Sequence, residues 1–119
     1  MENLDSTINR ISFEIATSIS QKKDKYFAID NALGVLSSDG VYAYYVYCKA
    51  KGIDLTYIDE LSKLTKYIKT GKSEGEIEVK LDEDYFAKLS ENIEDLLFFK
   101  EMAEKVLVYA RYHLKAMGN

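Results

Sequence analysis

Asp39–Gly52 reads DGVYAYYVYCKAKG, and the conformation of this stretch decides the fold. Val41, Tyr42, Ala43, Tyr44, Tyr45, Val46, Tyr47 and Cys48 form one unbroken apolar run. Tyr and Val favour strands. A half-buried strand needs strict alternation, however, and the phase slips where Tyr44 and Tyr45 stand side by side. Asp39 is a good N-cap residue, and Lys49, Lys51 and Gly52 form a helix stop, basic residues followed by glycine. The run therefore predicts a helix. At about 100° per residue its tyrosines point in very different directions. Other helices should enclose most of it, with a partner where they end. The run is far short of the ~20 apolar residues of a membrane span.

Upstream, Ser37-Ser38-Asp39-Gly40 has the composition of a turn. A helix is expected from about Tyr26 to Leu36, with Ile29, Ala32, Leu33 and Leu36 on one side and Gly34 weakening it by roughly 1 kcal/mol. Gln21-Lys22-Lys23-Asp24-Lys25 reads as a polar connector. Before it, Leu4, Ile8, Ile11, Ile15 and Ile19 recur at helical spacing over residues 4–20.

Downstream, Asp54 or Thr56 opens a further helix, with Thr56 and Asp59 spaced as a capping box. Ile58, Leu61, Leu64, Thr65 and Ile68 form its inward face, Lys63, Lys66 and Lys69 the opposite arc, and Gly71 its stop. Residues 72–83 have the least regular composition, although Ile77, Val79 and Leu81 alternate with Glu78 and Lys80, which suits a short hairpin or an extended loop. From Asp84, read as an N-cap, apolar residues recur every three or four positions from Phe86 to Leu114, as one long helix or as two divided near Ser90. The expected fold is all-α: one domain over residues 1–119, a compact bundle of about five helices with a long C-terminal helix.

Composition agrees. A chain of 119 residues that is 47% hydrophobic and 30% charged is long and apolar enough for its own core. The net charge of −4 argues against indiscriminate nucleic-acid binding. A lone cysteine, Cys48, leaves no intrachain disulfide to form, and the acidic N-terminus lacks the regions of a signal peptide, so a cytoplasmic location is expected. There are ten tyrosines and no tryptophan or proline. Buried phenols need hydrogen-bond partners, so several of these rings are expected at a surface or an interface.

Catalytic and metal-binding motifs fail on inspection. Gly71-Lys72-Ser73 ends like a phosphate-binding loop, but Lys66 stands where the motif requires its first glycine, and a helix precedes it in place of a strand. Asp82-Glu83-Asp84 lacks the spacing of a calcium loop and suits a helix N-terminus. His113 is the only histidine, with no ligand partner for zinc. Cys48 reads as a small hydrophobe. No cofactor, metal site or enzymatic activity is expected. The lysines admit two readings. Lys49, Lys51, Lys63, Lys66 and Lys69 read most simply as solvated helix surface. If their helices pack antiparallel, they form a modest groove for a nucleic-acid backbone, with tyrosines free to stack on bases.

Two segments together resemble the small subunit of type III-B (Cmr) CRISPR–Cas effector complexes. The first is Gly40-Val41-Tyr42-Ala43 with Tyr44 and Tyr45, running to Lys49, Lys51 and Gly52. It is similar to that family's glycine-led central helix with aromatics and a basic end. The second is Tyr85, Ser90 and Glu91, then Leu97-Phe98-Phe99-Lys100 and Ala103. It resembles the family's C-terminal helix, in which a tyrosine precedes an acidic residue, an aromatic, an apolar residue, a lysine and an alanine. Phe98 stands where the family often has tryptophan, and Glu101 where a basic residue is expected. Small subunits of type III-A and type I-A complexes are short helical proteins too, and stay open as alternatives.

The resemblance implies a non-catalytic structural subunit. Copies of it would stack along the backbone subunits of an RNA-guided antiviral complex and help form the channel for target RNA. Its partners would be the other subunits, further copies of itself, and guide or target single-stranded RNA bound weakly without sequence preference; no membrane is implied. Lys49, Lys51, Lys63, Lys66 and Lys69 are the candidate RNA contacts, and Tyr42, Tyr45, Tyr109 and Tyr112 the candidate protein interface. The competing expectation is a free-standing helical adaptor or regulator that binds a protein through the same tyrosines.

Overall fold

The computed structural model describes residues 3–21 and 28–118, and among them it contains helices and no strand. In chain order these are α1 (Leu4–Ser20), α2 (Ala28–Asp39), α3 (Val41–Lys51), α4 (Asp54–Tyr57), a 3-10 helix (Asp59–Tyr67), α5 (Glu83–Ser90) and α6 (Ile93–Ala116). The principal extents are 43 × 35 × 20 Å. With packed helix axes about 8–10 Å apart, the short dimension holds two layers.

α1 takes the boundaries its isoleucine spacing requires, and Ile8, Ile11, Ile15 and Ile19 are buried. Asn3 caps it, accepting from the Ser6 N–H at 2.8 Å while the Ser6 hydroxyl answers the Asn3 N–H. α6 is the shared wall of the bundle, touching α1, α2, α3, α5 and the 3-10 helix. Phe99, Met102, Ala103, Val106, Leu107, Ala110 and Leu114 form its buried face.

α3 is helical as its sequence requires and packs on α2, α4, α5 and α6. It buries Val41, Tyr44, Tyr45 and Cys48 on one face, leaving Tyr42 and Val46 exposed. The neighbouring helices therefore cover one side of it and not most of it. Its entry also differs from expectation. Ser37–Asp39 are the last residues of α2, and Gly40, not Asp39, is the N-cap of α3, at φ 96° and without any side-chain cap. A glycine in that region reverses the chain in one residue, so the four-residue turn is unnecessary. Gly52 closes α3 in the left-handed region, at φ 69°.

The next segment departs most from an ordinary helix. Only Asp54–Tyr57 is α-helical, and Asp59–Tyr67 is 3-10. Ile53 holds the N-cap position and no side chain caps it, so Thr56 and Asp59 do not form a capping box. Ile58, Leu61, Leu64 and Tyr67 repeat every third residue, the period of a 3-10 helix, which keeps such residues on one edge. Ile58, Leu61, Leu64, Thr65 and Ile68 are all buried, as their inward placement predicts. The segment ends before Gly71, because Ile68 is already extended, at φ −127° and ψ 138°.

Residues 72–82 form an irregular connection without a hairpin. The C-terminal apolar pattern is divided into α5 and α6. Asp82 caps α5 in place of Asp84, and Asn92 caps α6 in place of Ser90, each accepting from the N–H three residues on. Glu83 and Asp84 then occupy the first turn of α5, where the helix dipole favours acids. The connector at Lys22–Lys25 and the start of the second helix at Tyr26 lie outside the described residues.

Candidate functional site

The candidate lysines divide between two places. Lys49 and Lys51 end α3, whereas Lys63 and Lys66 lie on the 3-10 helix, which packs on α1, α4 and α6. Lys49 lines a groove of about 220 Å3 with Asp54, Asp59, Lys80 and Asp82, and its ammonium lies 3.4 Å from Asp54. Lys51 sits over the Tyr47 ring, 5.9 Å from its centroid. This corner carries as much negative as positive charge.

Lys63 ties the 3-10 helix to α1. Its ammonium donates to Glu14 on α1 at 2.7 Å and lies 3.9 Å from Glu60. Burial pushes the Glu14 carboxyl up, but hydrogen bonding to Lys63 and Glu60 and the charges of Lys63 and Arg10 outweigh it and hold Glu14 below its ordinary value. Burial and the neighbouring Glu14 carboxyl raise Glu60. The lysine bridges two carboxylates across an element boundary.

Lys66 and Lys69 converge on a second groove of about 420 Å3, lined also by Tyr67, Ile68, Lys72, Ser73, Glu74 and Glu76. Lys66 lies 5.9 Å above the Tyr67 ring, whose hydroxyl is fixed by Thr7 at 2.7 Å. Lys72, absent from the sequence candidates, completes the row. It continues the spacing of three set by Lys63, Lys66 and Lys69, which is the signal that could have found it. Partial burial lowers the Lys72 ammonium, with Glu76 and Glu78 pulling the other way. The groove thus gathers three lysines, one tyrosine and two glutamates.

The candidate interface tyrosines separate by burial. Tyr45 is buried against Phe86, with centroids 4.8 Å apart, and so cannot meet a partner as expected. Its place on α3 faces α5, which the residue spacing of α3 alone does not reveal. Tyr42 is exposed, though its hydroxyl donates to Glu83 at 2.6 Å. Tyr109 and Tyr112 are exposed at 41% and 62%. Beside them His113 meets Phe13 edge-on at 5.5 Å and Asn9 at 3.1 Å. Phe13, itself 52% exposed, and His113 thus bring an exposed aromatic contact to the α1–α6 seam, with Tyr109 and Tyr112 exposed on the same stretch of α6. Leu97 and Ile93 are also exposed, near the start of α6 and on a different side of it.

Two groups weighed for chemistry are occupied otherwise. Cys48 is buried, and burial pushes its thiol up to about 12 while the Tyr44 hydroxyl pulls it down, so it holds its proton at neutral pH. His113 is engaged by Phe13 and Asn9. Among the described residues no cluster of His, Cys, Asp and Glu suits a metal ion, and no helix is long and apolar enough to cross a membrane. No protein-family model, curated protein or solved structure matches the chain.

Proposed function

We propose that the chain is a non-catalytic structural subunit of an RNA-guided effector complex of the type III-B CRISPR–Cas kind, packing against backbone subunits and bordering the target-RNA channel. One observation supports a scaffold above all: Phe13 on α1 and Tyr109 and Tyr112 on α6 are large rings left exposed on the two longest helices, which pack on each other. Large rings left in water on a rigid surface suit a protein neighbour. The assignment to this kind of complex rests on the resemblance of the α3 and α5–α6 segments. The RNA half of the proposal rests on the groove of Lys66, Lys69 and Lys72. Localisation in the cytoplasm follows from it.

Purification from the source cell through an affinity tag tests the proposal. A structural subunit emerges with several companion proteins and a guide RNA. Recovery with one protein and no RNA would end this reading and favour a free-standing helical adaptor. That alternative has its own support, since Asp54 offsets Lys49 and Glu14 and Glu60 offset Lys63, which shrinks the basic surface.

A further inference from the structure

Residues 76–82, EIEVKLD, carry a strand pattern with no strand beside it. From Glu78 on exposure alternates: Glu78 and Lys80 are exposed, Val79 is half-buried and Leu81 is buried, while the exposed Ile77 before them lies at a bend. The Val79 N–H is held by the Thr65 hydroxyl at 3.0 Å. In an extended chain successive residues turn their backbone groups to opposite edges. Val79 therefore points toward the 3-10 helix, and Glu78 and Lys80 point away. Among the described residues the backbone N–H and C=O of Glu78 and Lys80 have no partner. An open groove of about 190 Å3, lined by Gly71, Lys80, Asp84 and Lys88, flanks the segment.

We infer that this edge is a docking site for the same edge of a second copy, paired antiparallel about a two-fold axis through Val79. The charges select this occupant. With Val79 opposite its counterpart, Glu78 of each copy faces Lys80 of the other, so both copies gain an opposite-charge cross-strand pair. Glu78 and Lys80 are also the residues whose backbone groups point outward, and an antiparallel hydrogen-bonded pair exchanges two bonds. The register thus satisfies four backbone bonds and both charge pairs at once. The outermost pair, Glu76 opposite Asp82, is like-charged, but each carboxylate is already held within its own chain, Glu76 by the Ser73 N–H and Asp82 by the Tyr85 N–H. The interface is isologous and closes at two copies.

Sedimentation equilibrium of the full chain, at up to about 1 mM because so short an interface binds weakly, tests the inference. A monomer–dimer equilibrium is expected. Glu78→Lys or Lys80→Glu alone places like charges opposite each other twice and should weaken the dimer about tenfold or more. Combined in one chain they restore opposite charges and should recover most of the affinity. Lys80→Pro removes an outward N–H while leaving the Val79–Thr65 bond, and should abolish the dimer with the helical circular dichroism unchanged. A monomer at every concentration overturns the inference. So does a dimer indifferent to these substitutions, which would place self-association elsewhere, such as the aromatic seam.

Discussion

The Tyr44 hydroxyl donates to the backbone carbonyl of Tyr57 at 2.6 Å, with both side chains fully buried. Tyr57 ends α4, and Ile58 begins the change to 3-10 geometry there. The carbonyl sits at a junction between two kinds of helix, and α3 supplies its donor from across the core. Tyr44→Phe removes that donor without changing the shape of the ring. A buried carbonyl losing its partner costs about 1–3 kcal/mol. The urea midpoint of unfolding should fall by the corresponding amount with its slope unchanged. An unchanged midpoint would show that Tyr57 finds another donor.

The same core makes stability sensitive to alkali. Burial raises Tyr44 and Tyr57 above the ordinary tyrosine value, and it raises Cys48 and Tyr85 to about 12. In the unfolded chain these groups release their protons near pH 9 to 10, while the native state retains them. Their contribution is therefore fully present below about pH 9 and is lost as the pH rises toward the native values. Tyr44, Cys48 and Tyr57, all fully buried, each remove up to about 1.4 kcal/mol per pH unit in that interval. Denaturation midpoints should be level from pH 7 to 9 and fall steeply by pH 11. Tyrosinate absorbance from the buried rings should appear together with unfolding.

Two glycines give opposite signs for one substitution. Gly34 lies exposed within α2, and a Cβ there meets nothing within 4 Å. Gly34→Ala should stabilise by about 0.5–1 kcal/mol. Gly71, at φ 76°, would place a Cβ 2.8 Å from the Tyr85 ring. Gly71→Ala combines left-handed strain with a clash against a buried ring and should cost about 2 kcal/mol or more. Gly75→Ala, at φ 90° in open space, isolates the strain and should cost about half as much. Thermal unfolding of the three variants separates these effects, and equal losses at Gly71 and Gly75 would remove the clash from the account.

Lys63 changes how the basic surface can be tested. Lys63→Glu would gather three carboxylates where Glu14, Lys63 and Glu60 now balance. With all three groups about a third exposed and screened by solvent, it should destabilise by about 1 kcal/mol at pH 7. The crowding raises the folded-state values of these acids, so the loss is full at neutral pH and shrinks as the pH falls through that raised range toward the ordinary carboxylate value. Lys63→Met, which only removes the bridge, should cost less than Lys63→Glu at neutral pH. An equal loss for the two would show that repulsion among the three carboxylates adds nothing to the loss of the bridge.

The parts of this fold legible in the sequence are those where one interaction dominates. The isoleucines of α1 fix its face and both its ends, and the slipped phase at Tyr44–Tyr45 marks α3 as helical. Helix starts were less legible because several residues compete for each cap. Asp39, Asp84 and Ser90 have suitable side chains, yet Gly40, Asp82 and Asn92 hold the positions, set by where the chain must turn. The burial of Tyr45 and the exposure of Tyr109 depend on what lies opposite, which periodicity within one helix does not contain. Lys72 was hidden because it follows the helix whose face the other lysines were assigned to.

The lysine groove yields the sharpest functional test. Lys66, Lys69 and Lys72 line one cavity, whereas Lys49 lines another and Lys63 is bound to Glu14 and Glu60. If single-stranded RNA follows the groove, neutralising these three by Lys→Gln should weaken binding and reduce the slope of log affinity against log salt by about 2, at roughly 0.7 per phosphate contact. Lys49→Gln with Lys51→Gln should leave both quantities nearly unchanged. Fluorescence anisotropy with an unstructured oligonucleotide at several salt concentrations measures this directly. Equal slopes for the triple variant and the parent chain would remove the groove from any RNA path and leave the aromatic seam as the working surface.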